Sequence, residues 1–105
     1  MDEPRALARL RKKLTVENLW LYIIKILREN KPLKAYDIKV HLREKFGINA
    51  PAVTVYTVLY RMRRDGLVEV KREGDNALYT PTDRGLEAFK QGLVFIEEVL
   101  AKLKI

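Results

Sequence analysis

Residues 51–65, PAVTVYTVLYRMRRD, hold the side chains with the clearest chemical purpose. Val55, Val58, Leu59 and Met62 recur at i, i+3, i+4 and i+7, the spacing of one apolar helix face. At ~100° per residue, the opposite face carries Val53, Thr57, Tyr60 and Arg64, flanked by Thr54, Tyr56 and Arg61. No acid interrupts it. Hydroxyls bind phosphates or base edges, guanidinium groups hold G O6/N7 or phosphate, and methyl groups meet thymine methyls, so this face suits a DNA major groove. Pro51 fits the first helical turn, where its missing N–H costs nothing. The helix N-terminus adds a positive dipole end for phosphate. Arg63 falls nearer the core edge, within reach of a neighbouring acid. A second cationic pair, Lys71-Arg72, abuts the turn residues Gly74-Asp75-Asn76. Cations at a hairpin tip reach a minor groove or the backbone; a merely solvated hairpin is the competing reading, because Glu69, Glu73 and Asp75 dilute the charge.

Other chemistries find no support. There is one histidine, His41, with no partner cluster around it, so it reads as a surface or backbone-phosphate group rather than a catalytic base or metal ligand. The chain has no cysteine, which excludes disulfides and thiolate zinc sites. Its 5 glycines are isolated, so no phosphate-cradling loop exists. No enzyme, cofactor or metal is expected.

Charge supports a polyanionic partner. The 105 residues include 21 Lys plus Arg against 14 Asp plus Glu, a formal net charge of +7. The excess is uneven: residues 1–72 hold 17 bases and 8 acids, while residues 73–105 hold 4 bases and 6 acids, giving +9 and −2. A basic body joined to a slightly acidic tail suggests separate jobs. A hydrophobic fraction of 48% argues against disorder. The length suits one domain. The first 14 residues lack the apolar stretch of a signal peptide, and the most apolar run, 19–27, is broken by Lys25 and too short for a membrane span. A soluble cytoplasmic protein with no membrane partner is expected.

The elements that must position these groups follow from periodicity. Residues 5–14 read as a short basic helix with Leu7, Leu10 and Leu14 at spacings of 3 and 4. Thr15 is placed to cap a helix over 16–29 that is apolar nearly all round, which predicts burial on more than one face and a subunit contact through Leu19, a helix simply central to its own core being the alternative. Residues 30–33, with Pro32, break the chain. A third helix over 34–46 buries Ala35, Ile38, Leu42 and Phe46 and ends at Gly47. A short turn leads to the fourth helix, 51–65. Strands over 67–73 and 78–80 flank the turn at Gly74, and Thr82 caps a last helix from Asp83 to the C-terminus. Two helices joined by a turn of about four residues, then a basic hairpin, outline a winged helix-turn-helix, mainly α with a small β-hairpin wing.

The residues also resemble a known family. Tyr36-Asp37-Ile38, the run Thr54-Val55-Tyr56-Thr57-Val58-Leu59-Tyr60-Arg61-Met62, Asp65-Gly66-Leu67-Val68 and Tyr79-Thr80-Pro81-Thr82-Asp83-Arg84-Gly85 look like the PadR family of transcriptional regulators. The likeness covers residues 19–85 with its elements in order. It implies a homodimeric DNA-binding repressor with a C-terminal dimerisation region. Thr54, Tyr56, Thr57, Tyr60 and Arg61 are the positions it carries over as DNA-facing. Asn76-Ala77 stands where the family often has a basic residue. Some members answer to small aromatic effectors, for which Trp20, Tyr22, Phe89 and Phe95 are pocket candidates; ordinary core is the preferred reading of these four.

The tail fits a pairing device. Leu86, Phe89, Leu93, Ile96, Leu100 and Leu103 repeat at 3, 4, 3, 4, 3, an a/d seam. A lid on the chain's own core is the alternative. Residues 1–82 are thus expected to form the DNA-binding domain with its N-terminal basic helix, and 83–105 a long C-terminal dimerisation helix. Three functions remain open at this level: a sequence-specific DNA-binding regulator, a non-specific chromatin-type DNA binder, and a winged-helix adapter for other proteins.

Overall fold

The computed structural model describes residues 2–105. Helix α1 (Arg5–Leu14) leads through a 3-10 turn (Val16–Asn18) into α2 (Leu19–Glu29). Helices α3 (Ala35–Phe46) and α4 (Ala52–Arg64) follow, then strands β1 (Val68–Glu73) and β2 (Asn76–Pro81), and finally α5 (Asp83–Leu103). The order and types agree with a winged helix. The strands pair antiparallel, with Val70 opposite Tyr79 and Lys71 opposite Leu78.

Helix α2 is the centre of the protein. Leu19, Ile23, Ile24, Ile26 and Leu27 are buried, and α3, α4, α5 and β2 all pack around it. Its all-round apolar character therefore serves the protomer's own core. Leu19 is 1% exposed and is not free for a partner. Ile38 and Leu42 of α3, Val55, Leu59 and Met62 of α4, Val68 of β1 and Phe89 of α5 complete the core. Phe46, expected inside, stays 38% exposed at the end of α3, its ring edge-on to Tyr22 with centroids 5.1 Å apart.

Local signals explain most boundaries. Gly47 ends α3 at φ 66°, a left-handed conformation that glycine adopts without penalty. Its N–H reaches the Arg43 carbonyl at 2.9 Å, and Ile48 N–H reaches Leu42 at 3.1 Å. Thr82 caps α5, its hydroxyl oxygen accepting from Gly85 N–H at 2.9 Å. Thr15 does not cap α2. Its hydroxyl donates to the Arg11 carbonyl at 2.6 Å, closing α1 instead, because the 3-10 turn intervenes. Residues 30–33 do more than break the chain: Leu33 forms a backbone bridge with Tyr79, N–H to carbonyl in both directions at 3.2 and 2.8 Å. This ties the wing to the helix-turn-helix.

The radius of gyration is 15.1 Å, against ~13 Å for a compact chain of about 100 residues. The ends of α1 and α5 account for the excess. Helix α1 buries none of its residues. Helix α5 buries only Gly85 and Phe89, and its side chains from Leu93 onward are exposed.

Candidate nucleic-acid interface

Helix α4 presents one face inward and one outward. Val55, Leu59 and Met62 are buried and Val58 is half-buried. This packing fixes the rotation of the helix about its axis. The outer face is thereby set: Tyr56 is 57% and Tyr60 68% exposed, with Val53, Thr57, Arg61 and Arg64 exposed beside them. Thr54 is half-buried. The Thr57 hydroxyl donates to the Val53 carbonyl at 2.8 Å, so its oxygen is left to accept. Arg64 Nε lies 3.4 Å from the carboxylate of Asp65, which screens part of its charge. Arg63 is exposed, and among the described residues it makes no ion pair within 4.0 Å.

A groove of about 700 Å³ runs beside this face. Val53, Thr54, Thr57 and Arg61 form one wall, and Val16, Glu17 and Trp20 the other. The start of α2 and the outer face of α4 are therefore neighbours, a relationship that no local sequence signal announces.

The two wing cations do not share one face. Lys71 and Arg72 are both exposed, but as successive strand residues they point to opposite faces of the hairpin. Arg72 continues the side that carries Val68 and Val70, and Lys71 continues the side of Glu69 and Glu73. One flat approach cannot use both equally. His41 is half-buried on α3. Tyr36, on the first turn of α3, is an exposed aromatic that helix patterning did not place among the DNA-facing groups. Its signal was a lone ring at a helix N-terminus, which periodicity does not single out.

The remaining site residues divide. Phe89 is 5% exposed and belongs to the protomer's own core, and half-buried Leu86 packs against that core. Leu93, Ile96, Leu100 and Leu103 stay exposed along one stripe of α5. The four aromatic pocket candidates do not meet in one cavity. Trp20 lines the groove beside α4, Tyr22 and Phe89 line a cleft of about 300 Å³ between α2 and α5, and Phe95 lies on the outer side of α5. Arg28 stacks over the Phe89 ring at 5.3 Å, at the edge of that cleft. Among the described residues no cluster of three or more metal-ligating side chains occurs, and no helix is long and apolar enough to cross a membrane.

The sequence matches the model of the Transcriptional regulator PadR-like family over residues 23–91. The chain belongs to this family. Its members regulate transcription and are not enzymes. A search of curated proteins by sequence finds no match. Among solved structures the chain is similar to a PadR family transcriptional regulator from Eggerthella lenta, with 22% identity, 94% of this chain and 89% of that chain covered, and a TM-score of 0.76. It is similar to a PadR-like transcriptional regulator from Bacillus cereus, with 21% identity, 89% and 95% covered, and a TM-score of 0.68. It is also similar to Bacillus subtilis PadR, solved in complex with operator DNA, with 24% identity, 76% of this chain and 49% of that chain covered, and a TM-score of 0.63. The PadR-like match spans α2 to the middle of α5 and leaves α1 outside.

Proposed function

We propose that this PadR-like regulator works as a homodimeric repressor that reads a specific DNA sequence with α4. The observation that carries the reading is the acid-free outer face of α4, with Tyr56, Thr57, Tyr60 and Arg61 exposed together. Two exposed tyrosines gain nothing in water, whereas rings and guanidinium groups gain much against bases and phosphates. Thr54 and Arg64 extend the face at either end. The wing supplies a backbone or minor-groove contact through Lys71 or Arg72. Operator DNA bound to the Bacillus subtilis relative supports the same partner here.

The dimer reading rests on exposed apolar surface. Leu93, Ile96, Leu100 and Leu103 line one stripe of α5, and Leu103 is 77% exposed. A stripe of that length is covered in most soluble proteins, and isologous pairing covers it with one symmetry operation. Residues 1–82 then hold the DNA-reading unit and the far half of 83–105 the pairing device. Two recognition helices would face successive major grooves, ~34 Å apart. For a small aromatic effector, the place on offer is the cleft of Tyr22 and Phe89. A cytoplasmic location, expected from the sequence, goes with this reading.

Footprinting with fluorescence anisotropy tests the reading. A protected palindromic site, bound submicromolarly and more weakly as salt rises, is the expected result. Equal affinity for random and promoter DNA would replace it with a non-specific chromatin-type binder. No DNA affinity at low salt would leave the protein-adapter reading.

A further inference from the structure

We infer that α1 is a second DNA-binding element, a cationic helix that lies on the phosphate backbone outside the bases read by α4. The inference rests on the DNA-binding reading above and adds a site to it.

The helix sorts its side chains by angle. At ~100° per residue, Arg5, Arg9, Lys12 and Lys13 fall on one side, and Leu7, Leu10 and Leu14 on the other. Ten residues hold five cations and no acid. All the side chains are exposed. Some charge is neutralised locally: Arg11 pairs with Glu3 at 2.7 Å, Lys13 with Glu17 at 2.7 Å, and Lys12 stands 4.0 Å from Glu17. The Lys13 hydrogen bond holds the Glu17 carboxyl below its ordinary value, with Lys13 and Lys12 charge adding to the effect. Among the described residues, Arg5 and Arg9 have no acid within 4.0 Å. With Lys12, which only grazes Glu17 at 4.0 Å, they form a cationic stripe that spans ~10 Å along the helix. That is about three base-pair steps of a duplex.

The stripe is held, not trailing. The Tyr22 hydroxyl donates to the Leu14 carbonyl at 2.6 Å, tying the end of α1 to α2. Val16 and Glu17, just beyond α1, share a groove with Thr54, Thr57 and Arg61 of α4. The basic helix therefore leaves the body beside the DNA-reading face. It lies outside the region that the family model matches.

An anionic lipid surface is the other polyanion a basic amphipathic helix can meet. Interfacial helices usually seat Trp, Phe and Leu in the bilayer, whereas α1 has three leucines, no aromatic residue and less than four turns. Fixed attachment beside α4 favours phosphates of the same duplex.

The test compares full-length protein with the triple variant Arg5→Gln, Arg9→Gln, Lys12→Gln. Gln is a comparable helix former and none of the three is buried, so circular dichroism should not change. Anisotropy titrations from 50 to 400 mM salt, on operator and on random DNA, give the slope of log affinity against log salt. The expected result is a slope shallower by ~0.9 for each phosphate that α1 no longer neutralises, with at least two such phosphates per dimer, and affinity lowered by the same factor on both DNAs. A footprint shortened at its outer ends would agree. An unchanged slope, with wild-type protein still binding operator, overturns the role of α1 and leaves the α4 reading standing. Failure of wild-type protein to bind any DNA overturns both. If the variant keeps its DNA slope but loses binding to vesicles of phosphatidylglycerol and phosphatidylcholine, α1 serves a membrane surface and the inference is overturned.

Discussion

Thr82 is bonded to Gly66 across the base of the wing. Its hydroxyl donates to the Gly66 carbonyl at 2.6 Å and accepts from Gly85 N–H at 2.9 Å. One side chain therefore joins the end of α4, the exit of β2 and the start of α5. Gly85 belongs to the same device, since a Cβ there would collide with the Leu67 carbonyl oxygen. Thr82→Val should lower stability by ~1–2 kcal/mol, the usual worth of a missing cap. Gly85→Ala should cost more, toward the upper end of the ~1–3 kcal/mol typical of overpacking, because a backbone oxygen cannot swing aside. Urea unfolding of the two variants checks the ranking.

Stability and recognition should separate on α4. Leu59 is wholly buried, so Leu59→Ala should lose ~2–5 kcal/mol. Arg61→Gln and Tyr60→Ala change exposed side chains and should leave the melting temperature nearly unchanged. Each should cost ~1–3 kcal/mol of operator affinity. Melting curves beside anisotropy titrations would reveal any mixing of the two effects.

Charge placed on the α5 stripe should split the proposed dimer. Leu100→Glu lies beyond the buried part of α5, so the protomer should stay folded. Sedimentation should move from two chains to one, and operator affinity should fall by ~10²-fold or more as the second half-site no longer helps. Phe89→Ala should instead unfold the protomer, since that ring fills the core.

The junction after α1 should respond to acid. The Lys13 hydrogen bond lowers the Glu17 pKa, and the Lys25 hydrogen bond does the same for Glu29. A lowered carboxylate contributes stability above its unfolded value and loses it as pH falls through the folded one. Helicity should therefore drop slightly below pH ~4.5, in wild type more than in Lys13→Gln. Both carboxylates are exposed, so 0.5 M salt should shrink the difference.

Much of this protein could be read along the chain. The period of Val55, Leu59 and Met62 located the outer face of α4, because a helix with one buried stripe has only one rotation that hides it. Gly47 and Thr82 marked helix ends through backbone chemistry that is local by nature. The winged order of elements followed from these signals. Local reasoning failed at Thr15, where a 3-10 turn displaced the cap, and at Leu33, whose strand-like pairing with Tyr79 depends on a residue far along the chain.

Burial was the property that only the tertiary structure decided. Leu19 and Phe89 have the same apolar character as Leu100 and Leu103, yet the first two are inside and the last two outside. A heptad repeat states that a stripe will be covered, not what covers it. The first turns of α5 meet α2 and are consumed there; the later turns run past the body, and their identical chemistry becomes a surface for something else. The same holds for charge. Composition makes α1 basic, but only the tertiary structure sets Val16 and Glu17, the residues that follow it, in one groove with Thr54, Thr57 and Arg61 of α4.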